Sequence, residues 1–313
     1  MLLNMGGPNN LDEVRTFLTN MFNDKNIISV SSSFVRSFLA SLIVFMRLNK
    51  AKSNYEVLGG KSPIITHTKN LIQALQKADS SRLYTYGMSY TTPFIKQQLA
   101  LLQQKNIQEL VLFSLYPQYS TTTTLTSLEH VKKACFELSY MPKTFIIDRY
   151  FDNEFYNEAI AEKIIEGTKK LKKPNHNIVL IISAHGLPQS IVDKGDPYEK
   201  EVLANIETLK TILQKKGIEF KEITHAFQSR IGPNKWLTPS LKEKLKSLKG
   251  ESVLIYPISF TLDNSETDFE LSIEYRHEAQ KIGISSYEVC ECLNHSESFV
   301  KTILNLIVQK EKE

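Results

Sequence analysis

The chain has 313 residues, 42% hydrophobic and 23% charged, with a formal net charge of +4; this is the profile of a soluble globular protein long enough to bury two cores. So small and dispersed a positive charge argues against a nucleic-acid partner, and the lysine-rich runs at Lys169–Lys173 and Lys242–Lys249 read as solvated helix faces or loops. No apolar run is long enough to span a bilayer, and three cysteines (Cys135, Cys290, Cys292) make neither a disulfide framework nor a C-x-x-C site, as expected of reduced thiols in a cytoplasmic protein.

The chain opens on Leu2-Leu3-Asn4-Met5, a strand ending in the tight turn Gly6-Gly7-Pro8, with no secretory signal before it. A helix is expected from Asp12, with Arg15, Phe17, Leu18, Met21 and Phe22 supplying its two faces. Phe34 to Leu48 is an apolar helix interrupted by Arg36, Ser37, Ser41 and Arg47; it suits a core face, the wall of an apolar cleft, or peripheral contact with a membrane surface. Gly59-Gly60-Lys61-Ser62-Pro63 is a turn into a helix through Leu71 and Leu75, and it lacks the spacing of a phosphate loop. Strands follow at Leu83–Met88, Leu110–Tyr116 and Thr144–Asp148, the second of them running through Pro117 into a polar, threonine-rich loop.

The second half repeats the plan. Ile178–Ala184 is a largely apolar strand ending in His185-Gly186-Leu187-Pro188, an echo of Met5-Gly6-Gly7-Pro8. Glu201–Lys215 is an amphipathic helix, Phe220–Ala226 a strand, and Val253–Ile258 a strand matching Val111–Tyr116, each running through proline into a polar turn. Ser298–Gln309 is a last helix. Buried strands alternating with helices specify an α/β fold, here two Rossmann-like domains, each a parallel sheet flanked by helices. The expected division is 1–150, 151–293, and a C-terminal helix over 294–313 that packs back on the first domain, with Lys169–Asn177 as the nearest thing to a linker.

Past Pro257, the residues Asp263, Glu266, Glu270 and Glu274 recur at steps of three, four and four. Two readings are open. Asp263-x-x-Glu266 has capping-box spacing, and an acidic helix face is often only a solvated one. Like charges at such spacing oppose a helix by roughly 0.2–0.5 kcal/mol per pair, a penalty that a cation would remove, and a local π-turn would align them better. Their place at the carboxyl end of a buried strand, where open α/β sheets bind ligands, favours the second. His185, Ser229–Arg230 and Asp263–Glu266 stand at such ends in the second half, Met5, Tyr90 and Tyr119 in the first. An imidazole with carboxylates supplies a base and a few open metal ligands, whereas a closed zinc site needs four His or Cys ligands. No nucleophile elbow and no G-x-G-x-x-G is present.

The motifs Leu3-Asn4-Met5-Gly6-Gly7-Pro8, Gly60-Lys61-Ser62-Pro63-Ile64, Tyr116-Pro117-Gln118-Tyr119-Ser120, Ser183-Ala184-His185-Gly186-Leu187-Pro188, Gly195-Asp196-Pro197-Tyr198, Gln228-Ser229-Arg230-Ile231-Gly232-Pro233 and Pro257 to Tyr275 resemble, in order, those of the ferrochelatase family. The resemblance implies a porphyrin cleft between two Rossmann-like domains and insertion of Fe²⁺ into protoporphyrin IX, the terminal step of heme biosynthesis. It implies His185 and Glu266 as the catalytic, metal-binding pair, and Asp263, Glu270 and Glu274 as an acidic metal path. Met5, Arg47, Tyr55, Ser62, Tyr90, Tyr119, Ser229, Trp236 and Phe260 fall at porphyrin-binding positions. Two pyrrole protons must leave, so a base on one face of the ring fits the chemistry. Ser89 stands where the family commonly has Arg, and Asn264 where it has His. No permanently bound cofactor and no iron–sulfur cluster is expected, since Cys290 and Cys292 lie upstream of the cluster-bearing extension found in some members. Within the same chemistry the other candidates are a chelatase for coproporphyrin III or sirohydrochlorin; outside it, a non-catalytic tetrapyrrole carrier.

Overall fold

The computed structural model describes residues 1–313 except 231 and 233, so that Ile231 and Pro233 of the Gln228–Pro233 motif lie outside the described residues. The chain forms two compact units, Met1–Arg149 with Ile303–Glu313, and Tyr150–Thr302.

In the first unit, β1 (Leu2–Asn4) is followed by α1 (Glu13–Phe22), α2 (Ser33–Val57), α3 (Ile64–Ala78), β2 (Tyr86–Met88), α4 (Ile95–Gln104) and β3 (Glu109–Ser114). A short π-helix (Thr121–Leu125), α5 (Thr126–Leu138) and β4 (Lys143–Ile147) complete it. The second unit contains α6 (Glu154–Leu171), β5 (Ile178–His185), α7 (Gln189–Val192), α8 (Tyr198–Lys215), β6 (Glu222–Gln228), α9 (Leu241–Ser247) and β7 (Ser252–Pro257). There follow a longer π-helix (Glu266–Glu274), α10 (Tyr275–Ile282), β8 (Ser286–Val289) and α11 (Glu297–Lys310).

Each unit holds a four-stranded sheet of one topology, β2-β1-β3-β4 and β6-β5-β7-β8, and every pairing is parallel. The repeat read from the sequence is therefore a repeat of strand order. It extends to the loops, because Met88 N–H donates to Pro93 O at 2.9 Å and Phe227 N–H donates to Pro239 O at 2.8 Å. Unbroken apolar runs make the central strands because helices cover both faces. Ile178 to Ile182 and Val253 to Tyr256 are each at most 1% exposed. In the first unit Leu3, Leu110 and Leu112 pack with Leu99 and Leu102 of α4 and Val131 and Ala134 of α5.

Two boundaries differ from the sequence reading. Lys169–Asn177 is not a linker: α6 carries Ile160, Ile164 and Gly167 buried, and its lysine-rich end is solvated before the left-handed Lys172 (φ 51°) stops it. The apolar stripe on α6 keeps this segment inside the second unit, and the division falls between Arg149 and Tyr150, one residue from the expected end of the first domain. Nor is the last helix a separate segment. Phe299 and Val300 belong to the second unit, whereas Ile303–Glu313 belongs to the first, where Arg82 pairs with both Asp79 and Glu311.

Candidate active site

The site is built at the carboxyl end of the second sheet. β5 delivers His185 and β6 delivers Gln228 and Ser229, while the chain leaving β7 at Pro257 turns into the π-helix that carries Glu266 and Glu270. Gly186 is obligatory beside the histidine, since a Cβ there would lie 2.7 Å from the backbone oxygen of Gln228, the same oxygen that accepts its N–H. The acids are wound as a π-helix, the wider winding their spacing suggested, and such windings concentrate at functional sites. Its entry is capped by Asn264, whose Oδ1 accepts the Glu266 N–H at 2.8 Å.

His185 Nδ1 lies 2.7 Å from Glu266 Oε2, and Phe260 stands edge-on to the imidazole at 6.3 Å. Ser229 bridges the two glutamates. Its hydroxyl lies 3.0 Å from Glu266 Oε2 and 2.6 Å from Glu270 Oε2, and its N–H donates to Glu270 Oε1 at 2.9 Å. Ser229 adopts φ 64°, a left-handed conformation that costs a non-glycine residue about 1–3 kcal/mol and is held here by those bonds. The Gln228 carboxamide, fixed by Ser183 at 2.7 Å, turns its NH₂ toward Glu266 without reaching hydrogen-bond geometry. His185–Glu266–Ser229–Glu270 is thus a continuous chain of polar contacts, and His185 Nε2 has no partner among the described residues.

The electrostatics follow from burial set against pairing. Burial pushes the His185 imidazole down, but Glu266 and then Glu270 outweigh it and leave its pKa raised. Burial likewise pushes Glu266 up, and the imidazole outweighs it, so that its pKa is lowered. The two groups thus favour each other's charged forms, and in the neutral imidazole Nδ1–H donates to Glu266 while Nε2 keeps its lone pair. Glu270 lacks such a partner; burial first and the charge of Glu266 second push it up to about 7. In the folded state Glu270 therefore keeps its proton between the ordinary carboxyl range and about 7, where the unfolded chain has lost it, so its contribution to stability fades as pH rises through that window. Glu270→Gln should gain thermal stability relative to the parent between pH 5 and pH 8, as measured by melting temperature across that range. A constant difference would show that Glu270 ionises normally.

Not every expected site residue joins this chain. Asp263 is 6% exposed, and its carboxylate accepts Cys292 N–H at 3.2 Å and the Asn294 amide at 2.6 Å. It fixes the segment after β8, and these partners are not members of the His185–Glu266–Ser229–Glu270 chain. Glu274 closes the π-helix and is half-buried. Trp236 is buried and bridges Pro188, just past the histidine.

In the first unit Met5 occupies the strand-end place that His185 has in the second, its N–H held by Tyr116 Oη at 2.6 Å. Arg47 is exposed on α2, and Tyr119 is half-buried with the Arg149 guanidinium 4.6 Å above its ring. Tyr55 and Ser62 are buried, and the Ser62 N–H donates to Pro8 O at 2.8 Å. Tyr90 is 2% exposed and packed with α1 and α2, its hydroxyl donating to Asp24 at 2.8 Å, and it lines a pocket with Asp24, Ser89 and His130. The bridging role of Ser229 and the orientation of Gln228 were not foreseen, because helical or strand spacing carries no signal for contacts across three loops.

A ferrochelatase family model matches residues 1–311. The ferrochelatase of Wolinella succinogenes is 57% identical over 312 residues, covering 99% of this chain and 98% of the relative. That of Sulfurimonas denitrificans is 47% identical over 308 residues, covering 98% of this chain and 96% of the relative. Among solved structures, SirB from Bacillus subtilis with Fe³⁺ superposes with a TM-score of 0.57 at 12% identity, covering 78% of this chain and 88% of that one, which shows the fold alone. A hydrogen-bonded imidazole and glutamate at a parallel-sheet end, a neutralisable second glutamate beside them, and near full-length likeness to named relatives converge: the chain belongs to the ferrochelatase family, the lyases that chelate iron in heme biosynthesis.

Proposed function

We propose that the protein inserts Fe²⁺ into protoporphyrin IX and releases two protons, with His185 as proton acceptor and Glu266 as its partner at the metal-insertion site. The observation that carries this is the 2.7 Å contact between His185 Nδ1 and Glu266, which leaves Nε2 open to substrate. An imidazole whose pKa is raised by a carboxylate is a competent base near neutral pH. A pyrrole N–H proton taken at Nε2 is balanced by release of the Nδ1 proton to Glu266, and the Ser229 hydroxyl then relays to Glu270, whose pKa near 7 suits receiving and giving up a proton. Glu274, one step further along the same winding, continues the acidic path. Met5, Arg47 and Tyr119 of the first unit and Ser229, Trp236 and Phe260 of the second remain the proposed ring contacts. Tyr55 and Ser62 would support that role from buried positions.

Comparing initial rates on protoporphyrin IX, coproporphyrin III and sirohydrochlorin tests the substrate. The first should turn over fastest; preference for either of the others would replace it. Porphyrin binding with no metal-dependent spectral change would instead mark a carrier.

Peripheral membrane contact is proposed for α2. Phe34, Phe38, Leu42, Phe45 and Met46 recur at helical spacing and are 46–82% exposed, while Ala40, Val44 and Leu48 are buried on the opposite side. Arg36, Arg47, Lys50 and Lys52 accompany them, with no acid before Glu56. An apolar stripe flanked by cations suits a helix lying in an anionic interface. No helix of the described residues is long and apolar enough to cross a membrane. The protein should float with anionic liposomes, and Phe38→Ser with Phe45→Ser should stay at the bottom of the gradient; flotation unaffected by the pair would exclude this face.

A further inference from the structure

The strand carrying His185 outruns its neighbour. On one side β5 stays paired as far as His185 with Gln228, and the next N–H, of Gly186, still reaches Gln228 O at 2.8 Å. On the other side β7 ends at Pro257, opposite Ser183, and the last ladder bond runs from Ile258 N–H to Ser183 O at 2.9 Å. Peptide groups alternate sides along a strand, so the N–H and C=O of His185 face the side where no strand remains. Buried peptide groups without partners are costly, and two side chains take the place of the missing strand.

His185 N–H donates to Ser259 Oγ at 3.0 Å, and Tyr198 Oη donates to His185 C=O at 2.9 Å. The two hydroxyl oxygens are 2.6 Å apart. Tyr198 has one proton and spends it on the carbonyl, so Ser259 must donate to Tyr198. The bonds close a ring: His185 N–H to Ser259, Ser259 to Tyr198, Tyr198 back to His185 C=O. Both side chains are 6% exposed, and in such surroundings linked hydrogen bonds polarise one another. Tyr198 is itself delivered by the Gly195-Asp196-Pro197-Tyr198 motif, since Asp196 Oδ1 accepts its N–H at 3.0 Å as α8 begins.

We propose that Tyr198 and Ser259 are positioning residues for His185: the closed ring fixes the histidine peptide, and with it the point from which the imidazole reaches Glu266. Both residues are buried and bonded to the histidine peptide, not to its ring. The inference rests on the reading of His185 as the base of metal insertion.

The test is steady-state insertion of Zn²⁺ and Fe²⁺ into protoporphyrin IX by the full chain. Tyr198→Phe and Ser259→Ala should each lower kcat about tenfold, with KM for the porphyrin changed by less than about twofold, as expected when a base is displaced and ring binding is kept. Because one break opens the ring, the double variant should be no slower than the slower single one. Tyr256→Phe removes a fully buried hydroxyl of the same unit that has no hydrogen-bond partner, and should keep the parent kcat. Full kcat in Tyr198→Phe, an equal loss in Tyr256→Phe, or losses that multiply in the double variant would each overturn the inference. If Tyr198→Phe does not fold, Ser259→Ala against Tyr256→Phe decides by the same criterion. A parent protein that inserts neither metal sinks the reading of the site itself, whereas an active parent beside a fully active Tyr198→Phe sinks only the ring.

Discussion

Replacing His185 by alanine is expected to cut metal insertion by about 10²–10⁴-fold, the usual weight of a positioned acid–base group and equivalent to about 3–5 kcal/mol of barrier. Porphyrin affinity, followed by quenching of ring fluorescence, should change less than about threefold, because the imidazole is one edge of the proposed ring contacts and not their source. The fold should survive: the His185 side chain is 32% exposed, and its ring leaves no packed core position empty. In the variant Glu266 loses the charge that holds its pKa down, so burial and Glu270 will drive one of the two carboxyls to keep a proton. An alanine variant that still inserts metal at the parent rate would end the assignment of the base.

Asp263→Ala should have the opposite profile. The substitution leaves the Cys292 N–H and the Asn294 amide without their acceptor inside the second unit. Losing a charged acceptor for buried donors costs about 2–3 kcal/mol. For a chain of this size each kcal/mol moves the melting temperature by about 2–4 °C, so a drop of about 5–10 °C is expected by calorimetry. The rate of metal insertion at 25 °C should stay within about threefold of the parent. A variant with parental melting temperature and a lost rate would place Asp263 on the metal path.

The contrast between these two residues shows what the sequence could carry. His185 was legible because a long β-branched run predicts a strand buried on both faces, and a strand end in a parallel sheet is where ligands bind. Glu266 and Glu270 were legible because they share a continuous winding. The contacts of Asp263 were not legible by the same argument: it precedes the first turn, so helical phase does not govern its side chain, and Asn294 and the Cys292 peptide hold it. β8 gave no signal, since Ser286–Val289 is a four-residue edge strand with an ordinary alternation. α4, α5 and most of α6 are the crossover helices that parallel pairing requires between these strands. Ser229 and Tyr198 lie beyond spacing arguments altogether. The bridge made by the first depends on a left-handed backbone that serine rarely adopts, and the second reaches the site only through the end of a neighbouring strand.

The two sheets leave their third strands by the same route, each through a proline into a π-helix, but the coils are furnished differently. The earlier one is Thr121–Leu125, entered from Ser120 and lined with small hydroxyls; the later one carries glutamates. One strand plan made twice thus ends in coils of different charge. The hydroxyl-bearing coil holds no carboxylate to charge or discharge, so of the two coils only the later one should answer to acidity and to dications.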